Sequence, residues 1–527
     1  MAYVPTGLTD RISDLSTPSD VSQFVVMESE LDSTEQQQTE AEDEDGGCGG
    51  ANAKDVDGKP RVLTTVSLLA LCFFAICGGP MGSQDVITAG GPAIGLIALL
   101  VFPVVFYIPT CFVITELVSA IPEAGGHAYW IALAFGPQLG FQAGYWSWVA
   151  NCVNCALISS MAVALFAGNI EGTERSTTEE VFRQGLPILL ALPGFLSLRR
   201  VGHFVTLIFF GVMLIYMALA LSGASASRDW SVLAEFRYRN TIMSGGHPSL
   251  PPPPPPSLSS STEKEDTSDG GVYVDMVKLL NNLIWSFHGF HNVSVFATEV
   301  QDPVRTYRHV MFLALVIVPL TYLLPMVVSV ANNDPKWTEW DSSSLTDIMT
   351  SIGGSAMCVL VMTLVLLSVV GLYLTSLISS AFLATGMVTK CFGPAGLGIN
   401  SSNQQNTPHG AIFCSLPVML IMVNLESSDM IRISNALGGL GSVTLILAAI
   451  RLRFTMRNLP RPTKLCGDAH PIFMVLTLLI PLVCLAFATA CAFDNLISAV
   501  LTSVFILIGF IYGQQGNLSH FQKESMR

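Results

Sequence analysis

From Val62 to Gly513 the chain repeats one pattern, an apolar stretch of helix length followed by a short polar connector. A bilayer core about 30 Å thick needs about 20 apolar residues to be crossed as a helix. Twelve stretches meet or approach that length: 62–90, 93–119, 137–167, 185–198, 201–223, 272–299, 307–331, 353–388, 410–424, 430–450, 470–490 and 492–513, the fourth and ninth being short. In lipid every backbone N–H and C=O must be bonded inside the structure, so such a chain is expected to fold as an all-α polytopic membrane protein. Composition agrees. Only 12% of residues are charged and 51% are hydrophobic, with mean hydropathy +0.55. Soluble domains carry about a quarter charged residues, so a soluble globular fold is excluded. High hydrophobicity excludes a chain disordered throughout.

The net charge of −14 sits mostly at one end. Residues 1–60 hold 14 acidic and three basic residues (Arg11, Lys54, Lys59), which is −11 of the −14. This Ser/Thr/Gln/Gly-rich segment, centred on Glu40 to Asp45, cannot offset its ordering entropy by burial and reads as a disordered tail. No basic region precedes an early apolar run, which argues against a cleaved signal peptide. An acidic balance gives no footprint for nucleic acid. The membrane-spanning domain is expected over 61–515, with a short tail at 516–527.

Lysines and arginines set orientation through the positive-inside rule. Arg199, Arg200, Arg305, Arg308, Lys390, Arg451, Arg453, Arg457, Arg461 and Lys464 fall on connectors of one side, with Lys54, Lys59 and Arg61. Both termini are therefore expected in the cytoplasm, with the plasma membrane the expected location. The 224–271 connector contains Pro251 to Pro256, which favours an extended polyproline helix, and reads as an external linker. Nine of the cysteines lie in apolar stretches and read as small hydrophobic filler; Cys152-x-x-Cys155 has no second ligand pair and implies no metal. No cofactor is expected.

Two stretches are interrupted. Ala75 to Gly82 places Gly78, Gly79, Pro80, Met81 and Gly82 inside the first, and irregular backbone at membrane depth is tolerated only where it lines a cavity or is buried in protein. Asn281 to Asn292 puts Trp285, Phe287, His288, Gly289, Phe290 and His291 inside the sixth, and polar groups there default to a functional site. Broken helices whose freed N–H groups face an anionic substrate group are typical of secondary transporters. A packing kink at the glycines and hydrogen-bonded structural histidines are the alternative readings.

Trp285-Ser-Phe-His-Gly-Phe290 followed by Glu299-Val-Gln-Asp-Pro303 resembles the sixth-helix motif of the amino acid–polyamine–organocation transporters. Gly78 to Gly82, Ala89 to Pro92, Thr115-Glu116-Leu117, Pro122 to Gly126, Ala134 to Pro137 and Trp146-x-Trp148 are similar to the polyamine-uptake and L-type amino acid branch. The resemblance implies a core of two inverted five-helix repeats with helices 1 and 6 broken, a substrate site at the midplane, and proton coupling. It implies that backbone at Gly78, Gly79 and Gly82 holds a substrate carboxylate, that Trp285 is a gate, and that Phe287, Gly289 and Phe290 form the unwound wall. Aligned with that branch, this chain has Gln84, Asn154, His291, Leu374 and Ser376 where acidic residues are expected. A polyamine needs carboxylates to replace its hydration, so an amino acid is the expected substrate and a polyamine the alternative.

Asp85, Glu116, His288, Glu299 and Arg305 are the candidates for coupling or gating. Glu116 is expected to cap a loop, paired with a base such as Arg199 or Arg305, or to relay protons. Glu299 and Arg305 are expected to pair as an inner gate or as plain anchoring. His288 and His291 are the intramembrane groups able to titrate near neutrality. A nutrient sensor that does not transport, signalling through the acidic tail, is a second class. An enzyme is not expected, since no hydrophilic catalytic loop accompanies the histidines, and a channel lacks a repeated filter sequence.

Overall fold

The computed structural model describes residues 61–77, 79, 82–167, 177–226, 229–237, 272–341, 344–390, 408–465, 467 and 471–524. The acidic tail, most of the polyproline connector, and Gly78, Pro80 and Met81 lie outside them. The described chain is helical: α1 Thr65–Ile76, α2 Gln84–Phe102, α3 Ile108–Ala120, α4 Gly126–Phe135, α5 Pro137–Ala167, α6 Thr177–Ala191 and α7 Leu198–Ala226. There follow α8 Met276–Phe287, α9 Pro303–Asn332, α10 Ser344–Thr389, α11 His409–Met422, α12 Ser427–Thr455, α13 Pro471–Cys491 and α14 Leu496–Glu524.

Among the described residues, eight helical spans are long and apolar enough to cross a membrane. They cover the second, third, fifth, seventh, eighth, tenth, eleventh and twelfth expected stretches. The other four form short or broken helices. Stretches one and six break at their glycines. The fourth divides where α6 ends at Ala191, a 3-10 turn Leu192–Phe195 containing Pro193 follows, and α7 starts at Leu198. The ninth is the 14-residue α11. Helix α14 runs past 515, the expected end of the domain, to Glu524.

Helix α5 is the central column. Its apolar window is 83% buried, against 22% for α14 and 28% for α13 at the periphery, and it packs on α10, α12, α4 and α11. Peripheral helices are apolar on the outside: Leu207, Leu214 and Leu221, seven residues apart on α7, are 71%, 73% and 67% exposed. Such a stripe in water would be an aggregation site; facing lipid tails it is at home. The molecule is a multi-pass integral membrane protein.

Helices α2 and α3 are joined through one π turn, Pro103–Tyr107, into a continuous Gln84–Ala120. The first and second expected stretches meet at Gly91, whose φ of +78° kinks the helix just before Pro92. Helices α1 and α8 both stop halfway. α1 ends at Ile76, Gly79 and Gly82 take φ of +138° and +80°, and α2 starts at Gln84. α8 ends at Phe287, Gly289 takes φ of +136°, and a 3-10 helix Phe290–Glu299 continues the chain.

The two broken elements lie side by side in opposite order. Leu63 pairs with Val300, and the Glu299 carbonyl accepts the N–H groups of Val62 and Leu63 at 3.0 and 2.9 Å. Farther along, Gly289 backs onto the Ala75 carbonyl so closely that a Cβ would overlap it, and Gly82 lies under the Trp285 ring. Glycine at 289 and 82 is what permits both crossings.

Candidate functional site

The two breaks open into a cavity. Gly79, Asn154, Trp285, His288, Gly289 and His291 line it, so the structure brings six expected site residues from three helical regions together. Gly82, buried beneath Trp285, forms the adjoining turn. The break leaves backbone N–H groups without helical partners, and α2 starts here with its positive end.

Asn154 on α5 fixes the indole. Its Oδ1 accepts from Trp285 Nε1 at 3.3 Å, and its Nδ2 donates to Ser376 Oγ on α10 at 3.1 Å. Asn154 and Ser376, two of the positions where acids were expected, therefore touch each other. Gln84, a third, is buried with Oε1 unpartnered among the described residues.

Phe287 and Phe290 are placed differently from the expectation. They do not line this cavity but a second one beside it. Phe287 is fully buried against Tyr322, Tyr107 and Phe102, with ring centroids 5.3, 5.9 and 6.0 Å away, and Phe290 packs on Tyr107 at 4.1 Å. Phe287 is the last residue of α8 and Phe290 the first of the 3-10 segment, and both turn to the Tyr107 side. His288, Gly289 and His291 border both cavities.

Several lining residues escaped the sequence reading. Asn151 and Asn292 exchange reciprocal amide hydrogen bonds of 2.9 Å, tying α5 to the 3-10 segment. Asn435 on α12 donates to the Asn281 carbonyl at 3.0 Å. Tyr322 and Gly438 complete the wall. An asparagine inside an apolar run is the available signal, since a polar side chain there needs a partner. None of the described lining residues is Asp, Glu, Lys or Arg. The polar side chains that line the cavity are amides, imidazoles, an indole N–H, a phenol and the Ser434 hydroxyl.

The charged candidates sit elsewhere. Asp85 pairs with Lys278 at 2.8 Å, both about 40% exposed, where α2 meets α8. Glu116 is buried at the end of α3, and its partners correct the expectation: they are Arg453 and Arg461, not Arg199 or Arg305. Its Oε1 takes Arg453 Nη1 and lies 3.2 Å from Arg461 Nε, and its Oε2 accepts the Leu465 N–H at 2.8 Å. Arg453 also donates to the Leu465 and Gly467 carbonyls. Burial lowers the pKa of Arg461, a shift that the Glu116 carboxylate opposes and Arg453 reinforces. This cluster clamps the α12–α13 connector onto α3. Glu299 is at the end of the 3-10 segment that holds the start of α1, and Arg305 is exposed in the first turn of α9, its N–H donating to Asp302 Oδ1.

Known proteins give the arrangement a family. The chain is similar to polyamine transporter RMV1 of Arabidopsis thaliana, with 25% identity over 86% of this chain and 84% of the relative. Polyamine transporter PUT1 of Oryza sativa subsp. japonica is 24% identical over 82% of this chain and 74% of its own length. A probable polyamine transporter of Arabidopsis thaliana is 26% identical over 85% and 86%. The family profile described as amino acid permease matches residues 63–518, spanning both broken helices and the cavity between them. The chain thus belongs to the amino acid permease family of membrane transporters, within the amino acid–polyamine–organocation superfamily.

Proposed function

We propose that this chain carries amino acids across a membrane by alternating access around the cavity between the two breaks. One observation carries the substrate choice: no carboxylate lines the cavity among the described residues. A di- or tri-cation entering it would leave water without compensating charge, a very unfavourable transfer. A zwitterion fits better. Its carboxylate takes the freed N–H groups and positive helix end at Gly79–Gly82, and its single α-amine takes carbonyls freed at the same breaks. Trp285, tethered by Asn154, covers the occupied site.

The opposed order of the two broken elements supports the wider architecture, twelve spans with a core of two inverted five-helix repeats. The proposed coupling is proton symport, with both termini in the cytoplasm and the plasma membrane as location. Polyamine transport is the second reading, favoured by the names of the relatives. Uptake of a radiolabelled amino acid panel, putrescine and spermidine into proteoliposomes separates the two. Saturable amino acid uptake with weak polyamine uptake is the expected result. Saturable polyamine uptake without amino acid transport reverses it. Deletion of residues 1–58 should leave transport intact, which a sensor built on the tail would not require.

A further inference from the structure

Three imidazoles from two segments cluster beside the cavity. The rings of His288 and His291 lie 4.8 Å apart between centroids, and His127 meets His291 edge to face at 4.9 Å. Ser442 of α12 joins the first two, its Oγ 2.7 Å from His288 Nε2 and 3.5 Å from His291 Nδ1. His127, in the first turn of α4, does not line the cavity.

The hydrogen bonds of His127 define its tautomer. Nδ1 stands 3.1 Å from the His291 carbonyl oxygen and 3.4 Å from Ser294 Oγ, whose own hydrogen goes to that same carbonyl at 2.5 Å. A carbonyl only accepts, so Nδ1 carries the hydrogen and Nε2 is a bare lone pair. Nε2 has no partner among the described residues, and the whole side chain is fully buried. A vacant, buried base beside two further imidazoles is a place for a proton.

Among the described residues that line the two cavities none is charged. The rings face one another, His291 between His127 and His288, and the phenols of Tyr322, Tyr107 and Tyr307 lie along the same segment. Glu116 is engaged by Arg453 and Arg461, and Glu123 by Lys390. Among the described residues no trio of His, Cys, Asp or Glu is arranged to hold a metal ion.

Resting on the amino acid reading above, we propose that His127, His288 and His291 bind the coupling proton as one cluster, and that it enters only together with the substrate's carboxylate. A lone imidazolium in this uncharged pocket is unfavourable. A carboxylate in the adjoining cavity supplies the missing negative charge, so each ligand strengthens the binding of the other. The proton adds to an imidazole nitrogen from one bath and leaves from it to the other after the substrate departs. No other bond changes.

The test uses the full chain in proteoliposomes and two readouts: accumulation driven by an acid-outside gradient, and counterflow at equal pH. His127→Asn keeps an amide donor for the His291 carbonyl and removes the bare nitrogen. Ser442→Ala removes only the bridging hydroxyl and carries the test if the first variant fails to fold. We expect gradient-driven amino acid accumulation to fall about tenfold or more, the size of an ordinary coupling energy, while counterflow at saturating substrate, where the lost reciprocal affinity does not limit the rate, stays near the wild-type rate. Unchanged accumulation in both variants overturns the cluster and leaves the transport reading standing, as does a wild-type protein indifferent to the gradient. Accumulation and counterflow falling in proportion also overturns it, as a packing role. Wild-type exchange of polyamines and no amino acid removes the substrate reading, and the carboxylate clause with it.

Discussion

The ring of Trp285 covers Gly82: a Cβ built on that glycine would stand 2.8 Å from Cζ3 of the indole, and φ at Gly82 is +80°. Position 82 thus excludes a side chain twice, by the ring above it and by its own backbone. The turn that opens α2 and the lid of the cavity are held by one contact between the two broken elements.

Gly82→Ala should therefore lower maximal amino acid uptake by about tenfold or more, since the left-handed conformation alone costs about 1–2 kcal/mol for a residue with a Cβ. Surface biotinylation should find the variant at the membrane. In a Trp285→Leu background the added penalty should shrink, because the ring that obstructs the new methyl is gone. An equal penalty in both backgrounds would separate the turn from the lid.

Gly289→Ala tests the other crossing. Its Cβ would overlap the Ala75 carbonyl, and φ is +136°. Strain at such a φ plus a buried overlap should destabilise by about 2–4 kcal/mol, seen as a lower melting midpoint in detergent. Ala75→Gly should not rescue it, since the obstacle is backbone. Rescue by that change would mean that side-chain crowding, not the carbonyl, limits the approach.

These two crossings mark how far the sequence is legible. Pro80 and the glycines announce a break because they remove helical options locally, and the 3.6-residue pattern announces the spans. Pairing across the fold is another matter. Glu116 finds Arg453 and Arg461, more than 330 residues away, and nothing local ranks those arginines above Arg199 or Arg305. Phe287 and Phe290 belong to an aromatic motif, but the cavity they line is set by packing on Phe102, Tyr107 and Tyr322 of other helices. His127 follows two glycines in a loop motif, and only the fold brings it under His291.

Glu116→Gln should be strongly destabilising. It leaves Arg453 and Arg461 buried, side chains 9% and 4% exposed, without their shared anion. Breaking one side of a buried ion cluster costs about 3–5 kcal/mol. The expected signs are low expression and a lower melting midpoint, with Arg453→Met partly restoring both by removing one uncompensated charge. If Glu116 is instead a proton relay, Glu116→Gln should melt like the wild type while gradient-driven uptake disappears.

Asp85 should matter less. It and Lys278 form a pair about 40% exposed on each side, and exposed pairs contribute about 0–1 kcal/mol. Asp85→Asn should shift the melting midpoint little and retain accumulation driven by a pH gradient. Loss of the gradient response with counterflow intact would place the coupling proton on Asp85 and away from the histidines.

Asn154→Asp should move the protein toward polyamines. The new carboxylate keeps the geometry: one oxygen accepts from Trp285 Nε1, as Asn154 Oδ1 does at 3.3 Å, and the Ser376 hydroxyl, now 3.1 Å from Nδ2, rotates to donate to the other. It also places the first carboxylate among the described lining residues of the cavity. A charge-assisted contact to an ammonium group is worth about twice a neutral hydrogen bond, so putrescine uptake should rise severalfold and amino acid uptake fall. The gain should grow with pH, because only the ionised carboxylate attracts the amine. The measurement is competitive uptake of labelled putrescine and amino acid at several pH values. No gain in putrescine uptake, with the amino acid preference unchanged, would mean that Asn154 does not touch the substrate and that the cavity selects by some other wall.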